Sequence, residues 1–417
     1  MYNIKLKNIN ILMNNKFYYD YIIIGSGLAG LYSAYLIKKH DPKKTILILD
    51  KEKKAWIGGR TGNEIFYNTE IVTGAGVGRK HKDTLLISLL KELKIPMQEC
   101  TIKMNYAKTI KNPVNVIKVI EYLKKKYSQK DSMKTFKQFA EPLLGCEIYK
   151  SFTICSGYTD YENEDVREVL YNYGFSDNHP GWTSLIISWK KLVQKLIDFI
   201  GTKNVKSLHK VIKIDKRNNN PSLFEIICEN GKSYFSNKVI IATTVTSLQK
   251  LLPNFPIYQQ IKGQPFLRVY GKFTKESGKI MQHFVPYQTI VPGPLHKIIP
   301  LKNDVYMIAY TDNEGATLLK DNLQNNLQNR KLFVNLLERS LGIEECTLDL
   351  IAIKGFYWPI GTHYYTPLQG FKNRKSFLYT AQHPEKDLLV VGEMVSMNQG
   401  WTEGALESVE AIKNELY

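Results

Sequence analysis

Tyr21-Ile22-Ile23-Ile24-Gly25-Ser26-Gly27-Leu28-Ala29-Gly30 decides the fold. An apolar run, a glycine turn and a second apolar stretch predict a buried strand feeding a helix. Gly25, Gly27 and Gly30 satisfy G-x-G-x-x-G. In that pattern the first glycine makes a tight turn, the second lets the backbone approach a pyrophosphate, and the third packs helix on sheet. Leu28 to Lys39 reads as the helix, so the free N–H groups of its first turn, from Leu28 and Ala29 on, face the phosphates. A second strand, Thr45 to Leu49, delivers Asp50 about 20 residues past the glycines, where a carboxylate accepts ribose hydroxyls.

Two more glycine turns follow. Gly58-Gly59-Arg60-Thr61 lies just after Asp50, and Gly74-Ala75-Gly76 comes after a strand-like stretch from Glu64 to Val72. Far downstream, Leu388-Leu389-Val390-Val391-Gly392-Glu393 repeats the strand-then-glycine pattern. Gln399-Gly400-Trp401-Thr402-Glu403-Gly404-Ala405-Leu406-Glu407-Ser408 then opens a final helix. Strand and turn at both ends predict one cofactor site built from both.

With these motifs the chain resembles the FAD-dependent amine oxidase superfamily, which includes monoamine, polyamine and L-amino acid oxidases. The motifs are nearest to those of polyamine and monoamine oxidases. The resemblance covers nearly the whole chain, strongly at both ends and weakly between. It implies FAD, with Gly59 and Arg60 at the diphosphate, Gly74, Ala75 and Gly76 against the flavin, and Val211 beside the adenine. It places Gly392 and Glu393 at the ribityl chain and Trp401, after Gly400, over the substrate face of the ring. Thr402 would offer its backbone N–H to a flavin carbonyl, with Ala405 completing the closing motif. Monoamine oxidases tether their flavin through a cysteine shortly after an aromatic segment; no cysteine follows Cys346 here, so noncovalent FAD is expected.

The implied architecture is α/β: a Rossmann-like FAD-binding domain interleaved with a substrate domain of mixed sheet and helices. The expected ranges are 17–90, 205–255 and 345–417 for the first, 91–204 and 256–344 for the second, and 1–16 as an extension. Helices are predicted over Thr84–Leu93, Asn115–Tyr127, Thr135–Leu144 and Asp165–Tyr171, and a long helix over Ser184–Ile200. Strands are predicted over Val205–Asp215, Phe224–Glu229 and Ser233–Ala242, with turns at Asn218–Pro221 and Asn230-Gly231.

Phe266-Leu267-Arg268-Val269-Tyr270-Gly271-Lys272-Phe273 alternates so that Arg268, Tyr270 and Lys272 share one strand face. In the amine oxidases the matching strand presents a lysine that holds a water at the reactive flavin nitrogen. The aligned residue here is Arg268, with Lys272 the alternative on the same face. Arginine keeps its charge and its planar fork where lysine can lose a proton, so Arg268 could anchor a water or a carboxylate and puts the usual dioxygen route in question. Phe356-Tyr357-Trp358-Pro359-Ile360-Gly361-Thr362-His363-Tyr364-Tyr365 resembles the polyamine oxidase aromatic segment, which implies that Tyr364 or Tyr365 faces Trp401. Amine oxidation in this family needs neither His363 nor His383.

At 417 residues, 43% hydrophobic and 23% charged, the chain reads as a soluble globular protein too long for one core. Its five scattered cysteines contain no Cys-x-x-Cys pair, which argues against a disulfide framework or zinc site and for a reducing, cytoplasmic compartment. No metal-ligand spacing, carboxylate pair or nucleophile elbow emerges. Residues 1–16 lack the apolar core of a signal peptide, and no run approaches roughly 18 apolar residues. With Tyr417 soon after the last helix, the membrane anchor of the monoamine oxidases is expected to be missing. The net charge of +18 invites a polyanion, but the lysines are spread out and fit an AT-rich genome, so no specific nucleic acid is expected.

These readings predict an FAD-dependent oxidoreductase that oxidises a polyamine or another primary or secondary amine, with dioxygen as acceptor. Two alternatives stay open: a non-oxidase flavin reaction such as desaturation or isomerisation, and a non-catalytic binder like the Rab GDP-dissociation inhibitors. The subunit number is not fixed by the sequence.

Overall fold

The computed structural model describes residues 18–217 and 223–417. The expected extension 1–16 and the turn at Asn218–Pro221 lie outside them. The chain divides into two compact units: Met1–Thr61, Lys190–Gln259 and Phe371–Tyr417 form the first, and Gly62–Trp189 and Gln260–Gly370 the second.

The first unit is built on one sheet. Tyr18–Ile24 lies between Ser233–Ile241 and Ile46–Leu49, parallel to both, and Val205–Lys206 adds in parallel beyond Ile46–Leu49. Leu388–Val390 joins Ser233–Ile241 in parallel, while Val211–Lys216 and Phe224–Cys228 extend the sheet as an antiparallel meander. Ile22, Ile23, Ile48 and Ile240 have no more than trace exposure, as expected for strands covered on both faces. Each such side chain stabilises the sheet by about 1.5–3 kcal/mol relative to exposure. Leu28–His40 is the helix that follows Gly25, and Thr402–Glu410 is held beside it by a bond from the Tyr32 hydroxyl to Glu410 Oε1.

The second unit holds a six-stranded sheet in the order Leu350–Tyr365, Ile261–Phe273, Val305–Asp312, Lys297–Pro300, Gln288–Ile290, Met104–Tyr106. All neighbours are antiparallel except the last pair. Helices Lys275–Phe284, Asn313–Leu319 and Leu327–Leu341 share its core through Met281, Ala316, Phe333 and Leu337. A helical lobe, Val116–Lys126, Phe136–Leu144, Cys146–Ser156 and Val166–Tyr171, closes on Phe136, Phe152, Tyr161 and Phe175.

Several expectations are corrected. The predicted helix Ser184–Ile200 is a strand, Thr183–Ile187, followed by a helix, Trp189–Ile200. Thr183–Ile187 pairs with Met97–Thr101, and that ladder overrides the helical pattern. Glu64 to Val72 is a hairpin, Asn63–Phe66 with Thr69–Val72, turned at Tyr67 and Asn68 with φ of 46° and 56°. Val205–Asp215 is broken at Leu208, whose φ is 57°. The domain ranges also move. Residues 345–370 fall in the second unit because Leu350–Tyr365 pairs with Ile261–Phe273, and 62–90 follow because Gly78–Arg79 pairs with Thr183–Ile187. Residues 190–204 fall in the first unit, where their helix leads into Val205–Lys206.

Candidate active site

In the first unit the sequence-distant glycine turns gather at the carboxyl ends of adjacent strands. Ile24 pairs with Ile241 and Ile241 with Val390, so the turns at Gly25 and Gly392 follow strands separated only by Ser233–Ile241. Gly25 has φ of 106°, and a Cβ there would meet Ala242 O at 2.5 Å, so no side chain fits. Gly58 N donates to Ser26 O at 3.0 Å, and Gly27 and Gly58 form a parallel bridge. Arg60 Nη1 then meets Glu393 Oε1 at 2.9 Å, while Glu393 Oε2 accepts from Gly400 N at 3.0 Å. Arg60, Glu393 and Gly400 thus form one chain of contacts, and Gly59 sits next to Gly27, whose Cα lies 3.8 Å from the Cβ position of Gly59.

Asp50 is oriented from three sides. Its Oδ2 accepts from Ser26 N at 2.7 Å and Ser26 Oγ at 2.5 Å, and its Oδ1 accepts from Glu52 N at 2.8 Å. A carboxylate offers about four lone-pair sites, so capacity for a further donor is left. His209 N donates to Asp50 O at 2.7 Å, which brings the start of Val211–Lys216, and with it half-buried Val211, alongside this turn.

Two helix starts are uncapped. Gly27 precedes Leu28–His40 and Trp401 precedes Thr402–Glu410, neither with a side-chain cap, and the first turn after Gly27 holds no acid. A Cβ at Gly27 would meet nothing within 4 Å. Thr402 Oγ1 and Gln399 Oε1 are buried without a hydrogen-bond partner. Open space over uncapped N–H groups, with orphaned polar atoms at the second helix start, fits a dinucleotide spanning both. Gly404 is forced by packing, since a Cβ would lie 2.0 Å from Asn398 O, and Ala405 O accepts from Ser408 Oγ at 2.8 Å.

The second unit holds the other candidates. Three aromatic donors pin the segment that contains Gly74, Ala75 and Gly76: Tyr270 to Val72 O at 2.7 Å, Trp358 Nε1 to Thr73 O at 2.7 Å, and Trp189 Nε1 to Gly76 O at 3.1 Å. Arg268 reaches this turn, its Nη2 lying 3.4 Å from the Cβ position of Gly76. Lys272 does not; its Nζ binds Asn303 O at 2.7 Å and Asp304 Oδ2 at 3.2 Å. Tyr364 is half-buried and pushed up by desolvation, whereas Tyr365 is 2% exposed, on the opposite face of its strand, with its carbonyl accepting from Asp165 N.

Beside Arg268 lies a polar cluster that the sequence reading missed. Lys297 Nζ stands 3.1 Å over the ring of Tyr158, and Arg268 stacks 4.1 Å over Tyr310. Asp312 accepts from Thr159 N, Thr159 Oγ1 and Asp160 N, and Tyr173 donates to Asp160 Oδ1 at 2.5 Å. Burial, reinforced by Asp312, pushes Asp160 up to about 7. Burial also drives the Lys297 ammonium well below its usual range, against the pull of Asp312 and Asp160. For Arg268 the cost of burial is outweighed by Tyr310, Tyr270 and Tyr158, and the guanidinium remains charged.

Among the described residues no cluster of three or more His, Cys, Asp or Glu could hold a metal, and no helix is long and apolar enough to cross a membrane. A model of the NAD(P)-binding Rossmann-like domain matches residues 23–89. An uncharacterised protein of Acanthamoeba polyphaga mimivirus is 20% identical over 483 residues, covering 95% of this chain and 94% of that protein. Cyclohexylamine oxidase from Brevibacterium oxydans superposes with a TM-score of 0.73 at 14% identity, over 95% of this chain and 99% of that one. A putrescine oxidase double mutant redesigned in cofactor binding gives 0.70 at 13% identity, over 96% and 99%. Residues 23–89 therefore match a Rossmann-like domain, and the chain has, along nearly its whole length, the fold of these two oxidases.

Proposed function

We propose that the protein is an FAD-dependent oxidoreductase that oxidises an amine, with FAD held noncovalently and dioxygen as the electron acceptor. One observation carries the reading: the turns at Gly25, Gly58 and Gly392 meet at neighbouring strand ends, tied by the Arg60–Glu393 ion pair. In this reading Gly25, Gly27, Leu28, Ala29 and Gly30 cradle the diphosphate with Gly59 and Arg60, and Asp50 takes the ribose. Val211 lies by the adenine, while Gly392, Glu393, Gly400, Thr402 and Ala405 form the ribityl and flavin end. Cyclohexylamine and putrescine oxidases lend the amine as substrate class.

Bound FAD supplies a two-electron acceptor for the carbon–hydrogen bond next to a neutral amine. The chain's own residues bind and orient. Trp401 in the first unit supplies an aromatic face of the kind that receives a neutral amine, and fixing the reacting carbon in place removes the entropy of encounter from the barrier. A non-oxidase flavin reaction is the second reading, favoured by the presence of Arg268, a group that keeps its proton, at the aligned lysine position.

The test is anaerobic. Purified protein should show a flavin band released by denaturation, and at least one member of a panel of simple amines and amino acids should bleach it, with recovery on admission of air. A missing flavin band sinks the oxidoreductase. Bleaching without rapid recovery keeps dehydrogenation and rejects dioxygen as acceptor.

A further inference from the structure

Arg268 is 5% exposed, yet among the described residues no carboxylate lies within ion-pair distance of it. Its partners are the Tyr270 hydroxyl, the Tyr310 ring and, at the long distance of 4.0 Å, Met307 Sδ. A guanidinium carries five N–H donors, so most of the fork is unused. None of its nitrogens is both sealed from solvent and unpaired. The residues grouped about Arg268, Gly76, Phe266, Tyr158 and Tyr310, are only half-buried. Tyr158 and Tyr310 pack edge to face with ring centroids 5.4 Å apart, and the Tyr270 hydroxyl is spent on Val72 O.

Burial of a cation costs desolvation free energy, and an anionic ligand at the fork would offset it more fully than the neighbouring tyrosines do. The nearby Asp312 is already engaged by Thr159 and Asp160, and a second cation, Lys297, lies 5.6 Å from the ring of Tyr310. The planar fork matches a carboxylate in two parallel bonds, which a point-like ammonium does not.

We propose that Arg268, walled by Tyr310, Tyr158 and Phe266, is the binding site for a carboxylate on the ligand. Resting on the amine reading above, the substrate is then an amine that also carries a carboxylate, and a multiply cationic polyamine is disfavoured by the fixed positive charge.

Phenylacetate, phenylacetamide and phenethylamine, matched in shape but anionic, neutral and cationic, provide the probe. Calorimetric titration into the FAD-loaded protein should show phenylacetate binding at least tenfold tighter than phenylacetamide. Arg268→Gln should weaken phenylacetate thirtyfold or more and leave phenylacetamide within threefold. Arg268→Lys, which keeps the charge and guards against a folding defect in the first variant, should fall between. Phenylacetate binding no tighter than phenylacetamide, or unchanged in both variants, overturns the proposal. The amine reading is checked separately, by flavin bleaching with phenylalanine against phenethylamine. Bleaching by phenethylamine alone overturns the carboxylate site and leaves amine oxidation standing, whereas tight phenylacetate binding with no bleaching by any amine does the reverse.

Discussion

At Gly25, Gly27 and Gly30 one short turn obeys three different constraints. A Cβ on Gly30 would lie 2.1 Å from Gly25 O, and one on Gly25 2.5 Å from Ala242 O, whereas Gly27 faces open space with φ of −66°. Gly27→Ala should therefore cost no more than about 1 kcal/mol, the penalty of a poor helix cap, while weakening FAD binding at least tenfold. Gly30→Ala should cost about 1–3 kcal/mol or more through backbone overlap. Thermal melts of the apo forms and FAD titrations separate the two; equal destabilisation by both would mean that Gly27 serves packing instead. Asp160 makes a second prediction. Its carboxyl, pushed up to about 7 by burial and Asp312, stays protonated in the fold while an unfolded aspartate ionises near pH 4. Between about pH 4 and pH 7 the folded chain thus holds a proton that the unfolded chain has lost, and stability falls as pH rises through that window. Asp160→Asn should remove this slope, so that its melting temperature gains on wild type from pH 4 to pH 7; a constant difference would show that Asp160 does not carry the titration.

Elements whose ends are written locally are the ones the sequence discloses. Asn115, Thr135 and Asp165 cap their helices with side-chain bonds to Lys118 N, Gln138 N and Arg167 N, and each stands at the boundary that its residue type predicts. Thr135 also forms a capping box with Gln138, so Thr135→Ala should destabilise the lobe by about 1 kcal/mol, read as a lower denaturation midpoint with an unchanged slope. The glycine turns at Gly25 and Gly392 were legible for the same reason, since each is a strand and a turn contiguous in sequence. The Lys297 cluster was not, because Asp160 and Asp312 meet Lys297 only through pairing of distant strands and the fold of the loop from Tyr158 to Asp160. Nor could spacing choose between Arg268 and Lys272, which share a strand; that Asn303 and Asp304 hold the lysine depends on residues distant in sequence. Cys146–Ser156 escaped detection because its flanking glycines, Gly145 and Gly157, read as a loop.

For the molecule as a whole, a formal charge of +18 spread over the chain predicts attraction to polyanions that salt removes. The protein should be retained on heparin at low ionic strength and released near physiological salt, where the Debye length is about 8 Å; a DNA complex that persists there would require a dedicated nucleic-acid surface. The first unit is assembled from three stretches, Met1–Thr61, Lys190–Gln259 and Phe371–Tyr417, with the whole second unit threaded between them. Translation at about 5–20 residues per second delivers those stretches in order. The strand Leu388–Val390 and the glutamate that grips Arg60 emerge only after every residue of the second unit. Until all of the second unit has been synthesised, the nucleotide cradle therefore lacks one of its walls.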